Sequence, residues 1–345
     1  MTGLLEVREY LKSFYAKYEV YVKPCVKFLV ALVALVTINA SMGYMSVLKN
    51  PALVLVLALM CSFMPKNFVV IVSAMWILLH TYALAMECAV VVLAVFAIMF
   101  LLYFRFVPKD TIVVLLTPVL FVLKIPYVMP VAMGLLGGPV SAISVSCGVV
   151  VYYIMKLMAD NVTVFSAMDA ETDSSKFKIM LDGILDNKAM LVMVIVFILV
   201  LLIVYAIRRL SVDHAWMIAI VSGISVCAVL LLVCEFMLEV QFSVVAIVLG
   251  SIVSFFICLG IQFFEFNVDY TRTEFVQFED DEYYYYVKAV PKNVLAVPEK
   301  KVKRINKQQK KVPVKHEKHV STIKTSHGVS RTTVRTEEIK KNRAK

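Results

Sequence analysis

From Val26 to Phe264 the chain is apolar with hardly a break, and a run of that length leaves few ways to fold. A soluble domain covers its core with polar residues, and this stretch has too few of them to supply the cover. Hydrophobic residues make up 61% of the chain, against roughly 45–50% in a soluble domain. The sequence therefore predicts an integral membrane protein. In lipid no water satisfies the backbone, so the crossing segments must close their own hydrogen bonds as helices.

Within this block the stretch Phe106–Met158 is the most interrupted. Pro118, Pro126, Pro130 and Pro139, with Gly134, Gly137 and Gly138, break a segment otherwise apolar enough for lipid. Broken helices leave backbone groups without partners, so such a segment belongs inside protein or beside a polar cavity. It is expected at the centre of the fold.

Apolar runs occur at about Val26–Tyr44, Pro51–Met64, Asn67–Tyr82, Met86–Phe104, Thr111–Leu123, Ile125–Gly137, Val140–Met158, Ala189–Ile207, Ala215–Cys234 and Phe242–Phe264. Several hold only about 13–16 residues, where a crossing needs roughly 20. Thr111–Gly137 is either two crossings or one re-entrant hairpin. The predicted class is an all-α polytopic bundle of about 8–10 transmembrane helices. Lys12, Lys17, Lys23 and Lys27 precede the first run, and Lys66, Arg105, Lys109, Arg208 and Arg209 fall on every second connection. By the positive-inside rule this places both termini on the cytoplasmic face of a cell membrane.

Four regions flank or interrupt the bundle. Residues 1–25 mix Leu4, Leu5, Leu11, Phe14 and Tyr18 with charges at helical spacing, which predicts an amphipathic helix on the membrane surface. The outer loop, about 159–188, is mostly acidic. Its Asp169, Glu171 and Asp173 imitate the start of a calcium loop, but Ser174 and Met180 stand where that loop needs Gly and Glu. Asp173 is expected to cap a short helix resting Phe177, Met180, Leu181, Ile184 and Leu185 on the membrane. Residues 265–290 place two β-prone runs around Glu279–Glu282, a hairpin pattern. Residues 291–345 lack aromatic residues and are expected to be disordered. From Tyr285 to Lys345, 18 Lys and Arg stand against 4 acids, so the formal charge of +10 belongs to the tail.

The motifs of P-loop nucleotide binding, zinc proteolysis and serine hydrolysis are absent, so the expectation is a non-enzymatic protein with no catalytic residue, metal or cofactor. His80 and His214 stand at span ends and read as interfacial. A short echo links Pro65-Lys66-Asn67 with Pro108-Lys109-Asp110; chemistry explains it if Pro ends one helix and Asn67 or Asp110 caps the next.

Charges near lipid are the usual clues to a pathway. Lys124, between the two halves of the broken segment, could face Glu87 or Glu235 across an outward cavity, and all three map to outer span ends. Together with Pro118, Pro126, Pro130, Gly134, Gly137, Gly138, Ser141 and Ser144 they form the candidate pathway of a transporter or channel. Ser141, Ser144 and Gly148 also suit close helix packing. The first reading is different. Lys300, Lys301, Lys303, Arg304, Lys307, Lys310 and Lys311 form a dense run suited to anionic lipid headgroups or an acidic protein. That run carries no interleaved aromatic residue, which argues against sequence-specific nucleic-acid binding.

Overall fold

A computed structural model of the chain describes residues 2–167, 173–238, 243–265, 274–279 and 284–289. Seven segments among them are helical, long and apolar enough to cross a membrane: Tyr10–Ser41, Lys66–Leu84, Met86–Phe106, Pro139–Asp160, Lys176–Arg208, Ala215–Leu238 and Val244–Glu265. Their outward faces carry a band of exposed apolar side chains, including Leu93, Ile98, Leu101, Val245 and Phe256. In water such a band would drive association, whereas in lipid it meets its own kind. The chain is a multi-pass membrane protein.

Helix α1 (Thr2–Ser41) runs through both the expected surface segment and the first span. Its one non-helical residue is Tyr18, at φ −113° and ψ 20°. Helix α2 (Pro51–Phe63) turns back along it, begun by Asn50, whose side chain accepts from the Ala52 N–H. Two bonds at one end fix the overlap: Ser62 Oγ donates to the Pro24 carbonyl at 2.8 Å and Lys27 Nζ to the Met64 carbonyl at 3.1 Å. At the other end Asn39 Nδ2 donates to the Leu48 carbonyl at 2.8 Å. Although α2 has only 13 residues, it and its flanks match α1 from Lys27 to Asn39. Helix α3 (Lys66–Leu84) then returns, and α4 (Met86–Phe106) descends again.

Helices α5 (Thr111–Val122) and α6 (Val128–Leu136) form the centre. At about 1.5 Å per residue they measure roughly 18 Å and 13 Å, well short of a hydrocarbon core of about 30 Å. Both feet lie at one end of the bundle. Thr111 Oγ1 donates to Asn67 Oδ1 at 2.8 Å near the start of α3, and the Gly137 carbonyl accepts from Arg208 Nη2 at 3.5 Å. Near the tip, Phe121 and Tyr127 place their rings 5.9 Å and 6.5 Å from that of Phe197, midway along α10 (Lys188–Arg208). The broken segment is thus a re-entrant hairpin, and the runs 111–123 and 125–137 are its two legs.

Helix α7 (Ala142–Asp160), entered through a 3-10 turn at Pro139–Ser141, lies against α5, and α10, α11 (Ala215–Leu238) and α12 (Val244–Glu265) complete the bundle. Helix α8 (Val162–Ala167) follows α7 directly. Helix α9 (Asp173–Leu185) packs on α4 and α7 rather than resting wholly on lipid. Its Lys176, Met180 and Ile184 are buried at helical spacing while Phe177, Leu181 and Leu185 stay exposed. Strands β1 (Glu274–Glu279) and β2 (Tyr284–Ala289) pair antiparallel, from Glu274 opposite Ala289 to Glu279 opposite Tyr284. The expected basic tail, with Lys300 through Lys311, lies outside the described residues.

Candidate functional site

Three of the four prolines of the broken segment sit where the chain can do without an N–H. Pro139 opens the 3-10 turn, Pro130 falls in the first turn of α6, and Pro126 lies in the connection before it. The first N–H groups of a helix lack intrahelical partners in any case. Only Pro118 lies inside a helix, where it cannot donate to the Val114 carbonyl. Pro126, Pro130 and Gly134 are buried in the bundle. A Cβ on Gly134 would come within 2.7 Å of Val204 Cβ, so this glycine sets the approach of α6 to α10. Gly137, Gly138 and Ser141 shape the turn beside Arg208, and Ser144, fully buried, donates to Asp110 Oδ2 at 3.5 Å.

Two polar clusters close the ends of the α1/α3/α5 region. In the first, Asn39 Oδ1 accepts from Trp76 Nε1 and from His80 Nε2, each at 2.8 Å. An indole N–H can only donate and the Leu48 carbonyl can only accept, which fixes the orientation of the amide. The Met45 N–H donates to His80 Nδ1 at 3.3 Å, so Nδ1 carries the lone pair, Nε2 carries the proton and the imidazole is neutral. His80 stands near the end of α3 as expected, but it is fully buried and not solvated, because both ring nitrogens find partners inside.

In the second cluster, Tyr103 Oη lies 3.0 Å from Thr111 Oγ1, which donates to Asn67 Oδ1. Neither Asn67 nor Asp110 caps its helix through the side chain, as the sequence echo had suggested. Asn67 instead ties α3 to α5, and Asp110 receives Ser144 of α7. Packing between helices has taken over the groups that would otherwise cap them.

Between these clusters lies a cavity of about 50 Å³ beside Pro118. Ile38, Ile77, Phe96, Phe100 and Met155 form much of its wall, and Ser73 Oγ, buried nearby, has no hydrogen-bond partner. A buried water needs two to four polar partners. Walls of this composition do not make a solvated path.

The three candidate charges are not brought together. Lys124 occupies the hairpin tip with a left-handed φ of 61° and an exposed side chain. Its carbonyl would lie 2.7 Å from a Cβ on Gly250, which is six residues beyond Val244, so its backbone lies about 9 Å beyond the start of α12. It is therefore deeper than the span end expected for it, because the hairpin does not cross. Glu87 opens α4, and Glu235 lies near the end of α11. Each has a buried Oε2 with no hydrogen-bond partner. Among the described residues no ion pair joins Lys124 to either.

Sequence reasoning missed the pairing of Asn39 with His80; the one available signal was a polar group near the end of each of two apolar helices. Comparison of the chain with protein-family models, curated proteins and solved structures returns no match.

Proposed function

We propose that the chain is a non-enzymatic multi-pass protein of the cell membrane, with both termini cytoplasmic, whose basic tail holds anionic lipid or an acidic protein to that face. One observation supports it above others. Arg8 Nη1 donates to the Phe263 carbonyl at 3.4 Å and its guanidinium stands 5.8 Å from the Phe263 ring. The start of α1 and the last turn of α12 therefore share one end of the bundle. Lys23, Lys27 and Lys66 occupy the same end, so the tail leaves from the face that the positive-inside rule assigns to the cytoplasm. Each basic residue near an anionic surface contributes about 1 kcal/mol, and seven lie between Lys300 and Lys311.

The test compares the full chain with one ending at Val290, each in nanodiscs of neutral lipid. Co-sedimentation with vesicles containing phosphatidylglycerol is expected for the full chain, weakening with salt as surface charges are screened. Equal binding by both would remove the tail as the recruiting element. Binding of an acidic protein in place of vesicles would select the other partner.

A second reading, transport beside residues 111–158, draws support from the re-entrant hairpin. The apolar walls beside Pro118 weigh against it.

A further inference from the structure

At the end of the bundle shared by the termini, α1, α3 and α5 leave an open cleft of about 210 Å³. Lys23 and Lys27, one helical turn apart on α1, line it together with Lys66, the first residue of α3. Tyr15 stands at its rim. Apart from Thr111, whose hydroxyl is engaged with Asn67, the remaining wall is apolar, with Val30, Val69 and Leu115 leading toward the middle of the bundle.

These cations are only partly answered by the protein. Lys23 pairs with Glu19 at 2.5 Å on the exposed face of α1, and Lys27 gives one hydrogen to the Met64 carbonyl. Among the described residues no acid pairs with Lys66, which is exposed. The cleft also receives the starts of α3 and α5, neither closed by a side-chain cap. The start of α3, with no acid in its first turn, adds partial positive charge at the same place, while Asp110 offsets that of α5.

The occupant follows from the two chemistries that meet here. Three lysines against one paired acid, Glu19, together with the start of α3, leave the cleft net positive and call for an anion, which a neutral lipid would not supply. A soluble anion would make no use of Val30, Val69 and Leu115. The position is also that of a headgroup, since Lys27 and Met64 mark the level at which the α1–α2 pair ends. We infer that the cleft binds one anionic phospholipid, its phosphate between Lys23, Lys27 and Lys66 and the start of an acyl chain along Val30, Val69 and Leu115. The volume suits a headgroup and the first carbons of a chain, with the rest of the lipid in the bilayer. This site does not depend on the basic tail.

The experiment places the full chain in nanodiscs of neutral lipid doped with a photoactivatable phosphatidylglycerol and maps the cross-linked peptides. Labelling is expected on α1, α3 and α5 around the cleft, to the same extent in a chain ending at Val290. It should fall at least tenfold in K23Q/K27Q/K66Q and stay within twofold in K23R/K27R/K66R, which keeps the charge. If the triple glutamine variant does not purify as a single species, K66Q alone should lower labelling about threefold. Equal labelling in the glutamine and arginine variants would overturn the site, as would labelling lost with the tail. Displacement by millimolar inorganic phosphate would assign the cleft to a soluble anion instead.

Discussion

His80 Nε2 stands 2.8 Å from Asn39 Oδ1, and that bond ties the third helix to the first through a fully buried imidazole. Asn39 holds three groups at once: the His80 and Trp76 ring N–H groups and the Leu48 carbonyl. Asn39→Leu keeps the size of the side chain and strands all three. Hydrogen bonds inside membranes are worth about 0.6–2 kcal/mol each, so a loss of about 2 kcal/mol is expected. Thermal unfolding in detergent should show a clear fall in midpoint for Asn39→Leu and a smaller one for Trp76→Phe, which removes one bond. Equal midpoints for all three proteins would show that the cluster contributes nothing.

The glycines of the bundle divide by what surrounds them. A Cβ on Gly134 would meet Val204 at 2.7 Å and the Leu201 carbonyl at 3.0 Å, whereas one on Gly260 would meet nothing within 4 Å. Overpacking a close contact costs about 1–3 kcal/mol. In an open helical position Ala gains up to about 1 kcal/mol over Gly. Gly134→Ala should therefore lower the unfolding midpoint and Gly260→Ala should hold or raise it. The reverse order would mean that α6 and α10 do not approach at Gly134.

The membrane class was legible because an apolar block of this length admits few folds. The place of the broken segment was legible too, since prolines and glycines at membrane depth need protein around them. Its geometry was not. Runs such as 111–123 and 125–137 have the composition of crossings, and only the packing of Phe121 and Tyr127 on Phe197 shows where the chain turns. The same limit applies to Lys124: its depth depends on that turn, not on its neighbours in sequence. Asn67 and Asp110 carried a capping signal that interhelical bonds to Thr111 and Ser144 overrode. Side-chain partners from distant helices leave no mark in a single sequence.

Water access along α5 separates the packed hairpin from a transport path. With native cysteines replaced, single cysteines at Val114, Pro118 and Val119 should resist a membrane-impermeant thiol reagent from either side. All three border the apolar cavity of about 50 Å³, which offers water few partners. A cysteine in place of the exposed Lys66 should react from the side of the termini. Reaction at Val114 and Pro118 along one helical face would restore the reading of 111–158 as a pathway and place Lys124 first for mutation.

Tyr44 lies in the connection after α1, outside the spans, with its hydroxyl buried and without a hydrogen-bond partner. Burial first, and then the nearby Asp160, pushes its phenol up to about 12 from an ordinary value near 10. A phenol is charged when it loses its proton, so between those two values the unfolded chain ionises Tyr44 while the folded chain does not. Stability is intact below about pH 10 and declines as pH rises toward 12, because there the folded state binds more protons than the unfolded one. Tyr44→Phe removes this ionisation and sacrifices no hydrogen bond. The variant should be at least as stable as the parent in thermal unfolding at pH 8, since an unpartnered buried hydroxyl is removed, and its advantage should grow progressively above pH 10. A constant difference between the two proteins across that range would show that the Tyr44 hydroxyl is solvated in the folded state.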